Sequence, residues 1–373
     1  MRCTSGSFHE RFDARAAGFT PAVFPKATMN LPFPKTDPTP IFEFFRGSYA
    51  TELLTAAVAH FGLFGRLAAS PLTLDGLRAE LGLAERPAVV LITALRAMGL
   101  IEFRAGRLHL SPLAAEHLVP GGALDVGNYL GLAAQSPGVL AMVERLRTNQ
   151  PANADTSAGA AFIYRDGLAS AMEQAESARH FTLALAGRAK NVAPHLAQQM
   201  DLSGAKCVVD VGGGTGIYAI AMLQKFPRLR AIVLDRPEVL RVAQELATEF
   251  GVQDRLELLP GDMFADAIPR AGDVILLSNV LHDWDVPQCR ELIGRCAAAL
   301  PSGGQLLIHD VFLNDELDGP LPIALYSAAL FTLTEGRAYS AAEYRQWLQE
   351  VGLSVSEVRP TLIHCGVLSG KKD

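Results

Sequence analysis

From Lys206 to Phe312, short apolar runs alternate with helical patterns, and few folds accommodate that rhythm. The runs are "KCVVDV" (206–211), "RAIVLD" (230–235), "RLELLPGDMF" (255–264), "GDVILLSN" (272–279) and "GGQLLIHDVF" (303–312). Helical stretches fall between them: Ile217 to Phe226, "EVLRVAQELATEF" (238–250) and "QCRELIGRCAAAL" (288–300). Strands that are apolar on both faces and separated by helices predict a parallel sheet covered on both sides. The fold class expected is therefore α/β and doubly wound. The end of the chain departs from this rhythm. A helix, "YSAAEYRQWLQEVG" (339–352), precedes "LSVSEVRP" and "TLIHCGVLSGK", two runs joined by a tight turn. That closing hairpin adds an antiparallel strand to the sheet.

The first half reads differently. "LPFPKTDPTP" (31–40) is an extended, proline-rich lead-in. A very apolar helical pattern runs from Ile41 to about Leu67. A short helix follows over Leu74–Leu81, then a turn at Gly82 and a longer helix from about Arg86 to Met98. "LIEFRAGRLHLS" is a small hairpin turning at Ala105-Gly106. Helix, turn, helix, hairpin is the order of a winged helix. Residues 36–120 hold seven arginines and no lysine against eight acids, a net of −1. A DNA reader needs a basic stripe, so a scaffolding or dimerisation role is expected instead. The expected organisation is a disordered or extended tail over 1–35, the winged-helix dimerisation domain over 36–120, a helical linker contributing to a pocket over 121–195, and the sheet domain over 196–373.

Composition narrows the function classes. Hydrophobic residues at 49% and charged residues at 19% describe a globular chain with ample core. A formal net charge of −6 speaks against bulk-charge binding of nucleic acid. No apolar run reaches the length of roughly 18 residues that spans a bilayer. The five cysteines, at 3, 207, 289, 296 and 365, show no finger spacing, so reduced thiols in a cytoplasm are expected. The first 30 residues lack the apolar segment of a secretion signal, and Met29 is a candidate start of translation.

"DVGGGTG" (210–216) joins the first run to its helix. Glycines let backbone come within contact of a ligand at a helix N-terminus. The dinucleotide fingerprint G-x-G-x-x-G, counted from Gly212, would need a glycine where Ile217 stands, which counts against a nicotinamide dehydrogenase. The spacing is instead acid-x-G-x-G-x-G: Asp210, Gly212, Gly214, Gly216. Asp210 would repel a pyrophosphate and attract the amino group of S-adenosylmethionine. Asp235 ends the second run, where an acid can hold ribose hydroxyls. Asp262 follows the third, where it can accept from an adenine amino group, with Met263 against the ring.

"LLSNVLHDWDVPQC" (276–289) sets His282 beside Asp283, Trp284 and Asp285 at the end of the fourth run. Three readings apply: a general base, a metal site, or a polar stop. Adjacent residues on one turn rarely point at one ion, so no metal is expected, and Trp284 reads as packing.

With these motifs in place, the chain resembles the metal-independent, S-adenosylmethionine-dependent O-methyltransferases of the caffeate, hydroxyindole and bacterial natural-product type. The resemblance covers about residues 38–370 through "DVGGGTG", "LDRPEVL", "GDMF", "LHDWD" and "LPSGGQLLIHDVFL". It implies a Rossmann-like methyltransferase sheet of seven strands, an intertwined homodimer, a small hydroxylated substrate, and S-adenosylmethionine held by Asp235, Asp262 and Met263. It implies His282 as general base. Such a base is needed because a phenol, with a pKa near about 10, is a poor nucleophile at neutral pH.

The chain also departs from that family. The glutamate that orients the histidine is Asp310 here, one methylene shorter, preceded by His309. A second family glutamate is lost at "AYS" (338–340), with Glu335 nearby but out of register. A lysine four residues before the histidine in some members is Ser278, assigned to the cofactor-binding set. A linker methionine that contacts aromatic substrates corresponds to Leu185. The stretch 321–336 is expected to line the pocket. Methylation of carbon or nitrogen, a non-methylating reaction on the same cofactor, and a winged-helix regulator are the alternatives.

Overall fold

A computed structural model describes residues 29–150 and 175–373; residues 1–28 of the tail expected over 1–35, and the middle of the 121–195 segment, lie outside them. The extended lead-in is fastened to the body: Leu31 N donates to Gln224 Oε1, and Gln224 Nε2 donates to the Met29 carbonyl, both at 3.0 Å. Helix α1 (Thr39–Arg46) follows. Its Glu43 carboxylate lies 2.7 Å from His364 Nε2, which ties the helix to the far end of the chain.

The single apolar pattern expected over Ile41–Leu67 is broken in two places. Gly47 separates α1 from α2 (Ser48–Thr55), and a π-helical turn (Ala56–His60) leads to Gly62 at φ +55° before α3 (Leu63–Ala69). Helix α4 (Leu74–Leu81) has the expected bounds, because Thr73 caps its start and Gly82, at φ +65°, stops it. Helix α5 (Glu85–Ala97) leads to the hairpin of β1 (Ile101–Arg104) and β2 (Arg107–Leu110). Its two turn residues, Ala105 and Gly106, both have positive φ, the geometry that matches strand twist. Helices α6 (Pro112–His117), α7 (Gly127–Leu130) and α8 (Pro137–Thr148) complete this half.

Helix α5 is buried from Arg86 through Leu95, so the helix that a DNA reader would lay in a major groove is already covered. It packs against α13 (Leu321–Leu333), whose Ala328 and Phe331 join the apolar cluster of the N-terminal helices. Fully burying one Leu or Phe contributes about 1.5–3 kcal/mol, so this many contacts hold the two halves firmly together.

Helix α9 (Ala175–Gln199) enters the sheet region. The strands and helices then alternate: β3 (Cys207–Val211), α10 (Ile217–Lys225), β4 (Arg230–Asp235), α11 (Pro237–Glu249), β5 (Leu256–Pro260), β6 (Val274–Ser278), α12 (Val286–Ala299) and β7 (Gln305–Leu313). After α13 come β8 (Tyr339–Ser340), α14 (Ala341–Glu350), β9 (Leu353–Val355), β10 (Arg359–Pro360) and β11 (Cys365–Lys372). The strand order is β10-β11-β7-β6-β3-β4-β5, with β8 beside β7 and β9 beside β11. Strands β3 to β7 run parallel, and β11 lies antiparallel to β7, as the closing hairpin requires. One face packs on α9, α10 and α11 and the other on α12 and α14.

The order reverses at β3. Its successors β4 and β5 build outward on one side, while β6 and β7 build on the other. Connections therefore diverge at the carboxyl end of β3 and leave a crevice there. Among the described residues, no helix is long and apolar enough to cross a membrane.

Candidate active site

The glycine loop lies at the mouth of this crevice. Gly212, Gly214 and Gly216 all have positive φ, between 59° and 69°, which side-chain-bearing residues adopt only under strain. Gly213 is required for a different reason: a Cβ there would come within 2.6 Å of Asp210 Cγ. The backbone thus lies directly over the Asp210 carboxylate. That carboxylate is fully buried, and neither oxygen has a hydrogen-bond partner of good geometry; the Ala219 amide gives only weak relief. Burial, and after it the nearby Asp235 carboxylate, lifts its pKa to about 7. A buried acid without a partner is costly unless a ligand supplies the cation.

The neighbouring acids line the same edge. Asp235 Oδ2 accepts from the Gly214 amide at 2.7 Å, and its Oδ1 accepts from Arg236 N at 2.7 Å. Burial raises its pKa despite those bonds. Asp262 is exposed and uses Oδ1 to cap the turn at Phe264 N (2.7 Å), leaving its other oxygen towards solvent. The Met263 sulfur lies 3.6 Å from where a Gly212 Cβ would sit, so it abuts the loop. Asp210, Asp235 and Met263 therefore come together around the glycines. This set fits S-adenosylmethionine in its chemistry: an unpaired buried carboxylate that calls for a cation, and a glycine cradle that admits close backbone contact.

His282 sits in a 3₁₀ turn (Leu281–Asp283) after β6 and is almost fully buried. Register explains its partner. Ser278 pairs with His309 across β6 and β7, so Asp310 lies one residue beyond, beneath that turn. Its Oδ1 is 2.6 Å from His282 Nδ1. The shorter side chain reaches. Asp310 is itself held by the Val311 amide at 2.8 Å and by a long bond from the Tyr344 hydroxyl at 3.4 Å. A carboxylate only accepts, so the proton of neutral His282 resides on Nδ1 and Nε2 carries the lone pair. Asp283 Oδ1, 3.6 Å from Nε2, is too far for a hydrogen bond. Burial alone would depress the imidazole pKa, but Asp310 and then Asp283 outweigh it and hold it above the ordinary histidine range. Burial lifts Asp283 to about 6. Gly336 backs this turn so closely that a Cβ would fall 2.2 Å from the His282 carbonyl.

Ser278, assigned above to the cofactor-binding set, is buried at the end of β6. Its hydroxyl meets His309 Nδ1 at 2.8 Å and Asn279 Nδ2 at 3.1 Å. Burial, reinforced by Arg188, pushes His309 down to about 3, so that ring is neutral. Ala338, at the lost acid, is buried, and its amide donates to Ser327 Oγ at 3.1 Å. Leu185 is exposed on α9. Among the described residues, no group of histidine, cysteine, aspartate or glutamate side chains could hold a metal ion.

Several residues of the site are not visible as a motif. Tyr326, on α13, meets the His282 ring edge-on with centroids 5.7 Å apart. Arg46 from α1 stacks on Tyr326 at 3.7 Å, and Arg188 from α9 lies 5.8 Å from the same ring. Arg188 donates to Asn279 Oδ1 at 2.8 Å. Asn279 has φ +55°, a strained turn at a strand end of the kind that marks functional sites. The one signal the sequence offers is an arginine closing a largely apolar helix at Arg46.

Known proteins match this chain over most of its length. The family model of the O-methyltransferase domain matches residues 155–354. The 3-hydroxy-5-methyl-1-naphthoate 3-O-methyltransferase of Streptomyces sahachiroi is 36% identical over 86% of this chain and 90% of its own length. The L-tyrosine C(3)-methyltransferase of Streptomyces lavendulae is 29% identical over 83% and 84%. A crystal structure of an O-methyltransferase family 2 protein from Planctomyces limnophilus, in complex with apigenin, superposes with a TM-score of 0.83 at 50% identity, covering 92% of this chain and 98% of that one.

Proposed function

This chain belongs to the S-adenosylmethionine-dependent O-methyltransferases, and from that premise we propose that His282 is its general base, oriented by Asp310, acting on an aromatic hydroxyl. The observation that carries the assignment is the 2.6 Å contact between His282 Nδ1 and Asp310, which leaves Nε2 as a buried acceptor beside the crevice. When bound, S-adenosylmethionine supplies an electrophilic methyl group on its sulfonium. Asp210 would hold the ammonium of that cofactor, Asp235 its ribose, and Asp262 with Met263 its adenine. His282 Nε2 removes the acceptor's proton as its oxygen becomes nucleophilic. Asp310 stabilises the imidazolium that forms and fixes the ring orientation. Tyr326 and the apolar face of α13 exclude water and position the acceptor ring. Aromatic acceptors are supported by the naphthoate relative and by the apigenin-bound neighbour.

The test is methyl transfer from a labelled donor to hydroxynaphthalene and flavone acceptors. Oxygen-linked methyl in the product, located by NMR, is expected. Label appearing only on ring carbon, as the tyrosine relative's name would suggest for that protein, would overturn the reading.

We also propose a homodimer formed through the N-terminal half. Phe44 and Phe45 on α1 are 83% and 81% exposed, and Leu132, after α7, is 80% exposed. Apolar side chains so placed favour a covering partner. Light scattering should give twice 39.9 kDa, and Phe44→Glu with Phe45→Glu should give the monomer. A monomeric parent protein would reject this.

A further inference from the structure

We infer that Arg46 and Arg188, beside Tyr326 and His282, form an anion subsite, and that the acceptor is an aromatic hydroxy acid whose carboxylate they hold. This rests on the methyl-transfer reading above and adds the substrate class to it.

Arg46 is only 6% exposed, yet its guanidinium makes no hydrogen bond with any described residue. Its contacts are the faces of Tyr326, at 3.7 Å, and Phe42, at 5.7 Å. Arg188 places Nη1 on Asn279 Oδ1 at 2.8 Å and Nη2 on Cys365 Sγ at 2.9 Å. Its Nε is buried with no partner among the described residues. Neither guanidinium lies within ion-pair distance of a described carboxylate. Arg337 shows the contrast: it is equally buried and is paired with Glu343.

A guanidinium cannot shed its charge to escape burial, as lysine or histidine can. Two of them against one ring also repel. Burial, together with Arg188, holds Arg46 below its ordinary pKa. The Asp310 carboxylate does not answer the need, since its oxygens serve His282, Val311 and Tyr344. What the site lacks is an anion of planar, two-oxygen shape, the form a guanidinium fork accepts.

Placement gives that anion a purpose. Tyr326 carries Arg46 on its face, has Arg188 5.8 Å from its ring centroid, and meets His282 edge-on. An aromatic acid lying along Tyr326 would have its carboxylate at the arginine end and a ring hydroxyl at the His282 end. The clamp would then orient the attacking oxygen.

The test uses protein saturated with S-adenosylhomocysteine and three matched probes: 3-hydroxy-2-naphthoate, its methyl ester, and 2-naphthol. Calorimetry should show the acid binding about 30-fold or more tightly than either neutral probe. Arg46→Met and Arg188→Met should each bring the acid to within about threefold of the ester, while Arg46→Lys retains part of the preference, having charge without the fork. Because the readout is a ratio within one protein, a general loss of fold cannot imitate it. Equal binding of acid and ester by the parent protein, no binding of any probe, or a ratio that survives in both methionine variants overturns the subsite. Methyl transfer is scored separately by product mass. Methylation without acid preference sinks the subsite alone, whereas absent methylation and absent S-adenosylmethionine binding sink the reaction reading while the binding ratio still decides the subsite.

Discussion

His282→Ala is expected to lower kcat by about 10²–10⁴-fold, the usual contribution of a positioned general base, and to leave S-adenosylhomocysteine binding unchanged. The split follows from geometry. His282 stands beyond β6, whereas the glycines and Asp210 lie at the end of β3. The variant should also melt lower, because Asp310 stays buried and loses its hydrogen bond to the imidazole while keeping only Val311 N and the distant Tyr344 hydroxyl. Asp310→Asn tests the orienting role through pH. Neutral His282 is the active form, so kcat/KM should rise with pH along a limb above the ordinary histidine pKa of about 6.5. Removing the carboxylate takes away the largest influence that raises that pKa, so the limb should move to lower pH. A limb that stays put would deny Asp310 its role, and full activity in His282→Ala would deny the base.

Asp210→Asn should have opposite effects on the two states of the protein. With cofactor, the loss of a buried charge partner should weaken S-adenosylmethionine by about 10²-fold. Without cofactor, the same change removes a buried carboxylate that has nothing to pair with, so the melting temperature should rise. The pH dependence follows in sign. In the folded chain Asp210 keeps its proton up to about 7, and the unfolded chain loses it near the ordinary aspartate value of 3.8. Between those values the folded state binds more protons, so rising pH destabilises the cofactor-free protein by about 4 kcal/mol at roughly 1.4 kcal/mol per unit. Asp210→Asn should flatten that slope. Thermal melts across this window and titration calorimetry provide the measurements; a variant that melts lower without cofactor and binds it equally well would refute the assignment.

Much of this was legible before any coordinates. The parallel strands, the closing hairpin and α4 could be read because each is specified by local patterning: apolar runs, a threonine cap, a glycine stop. The pairing of His282 with Asp310 was legible as a pair of positions, but whether the shorter acid reaches was not. That depends on the register of β6 against β7 and on the descent of a 3₁₀ turn, which no single stretch encodes. Tyr344, Tyr326, Arg46 and Arg188 escaped for a related reason. They arrive from α14, α13, α1 and α9, and sequence separation hides their convergence. Strand β8 is two residues long, too short to show any period. Leu185, which the resemblance matches to a substrate-contacting methionine, is exposed on α9.

Helix α1 has eight residues and two occupied sides. Phe44 and Phe45 point outward, Glu43 is tied to His364, and Arg46 stacks on the ring beside His282. A rod barely two turns long cannot yield on one side and hold still on the other. Whatever grips the phenylalanines therefore sets the angle at which the guanidinium meets the reaction chamber. In the proposed homodimer, quaternary state would act as a tuning screw on the chemistry at His282, and dilution that separates subunits would detune turnover before any catalytic group is altered.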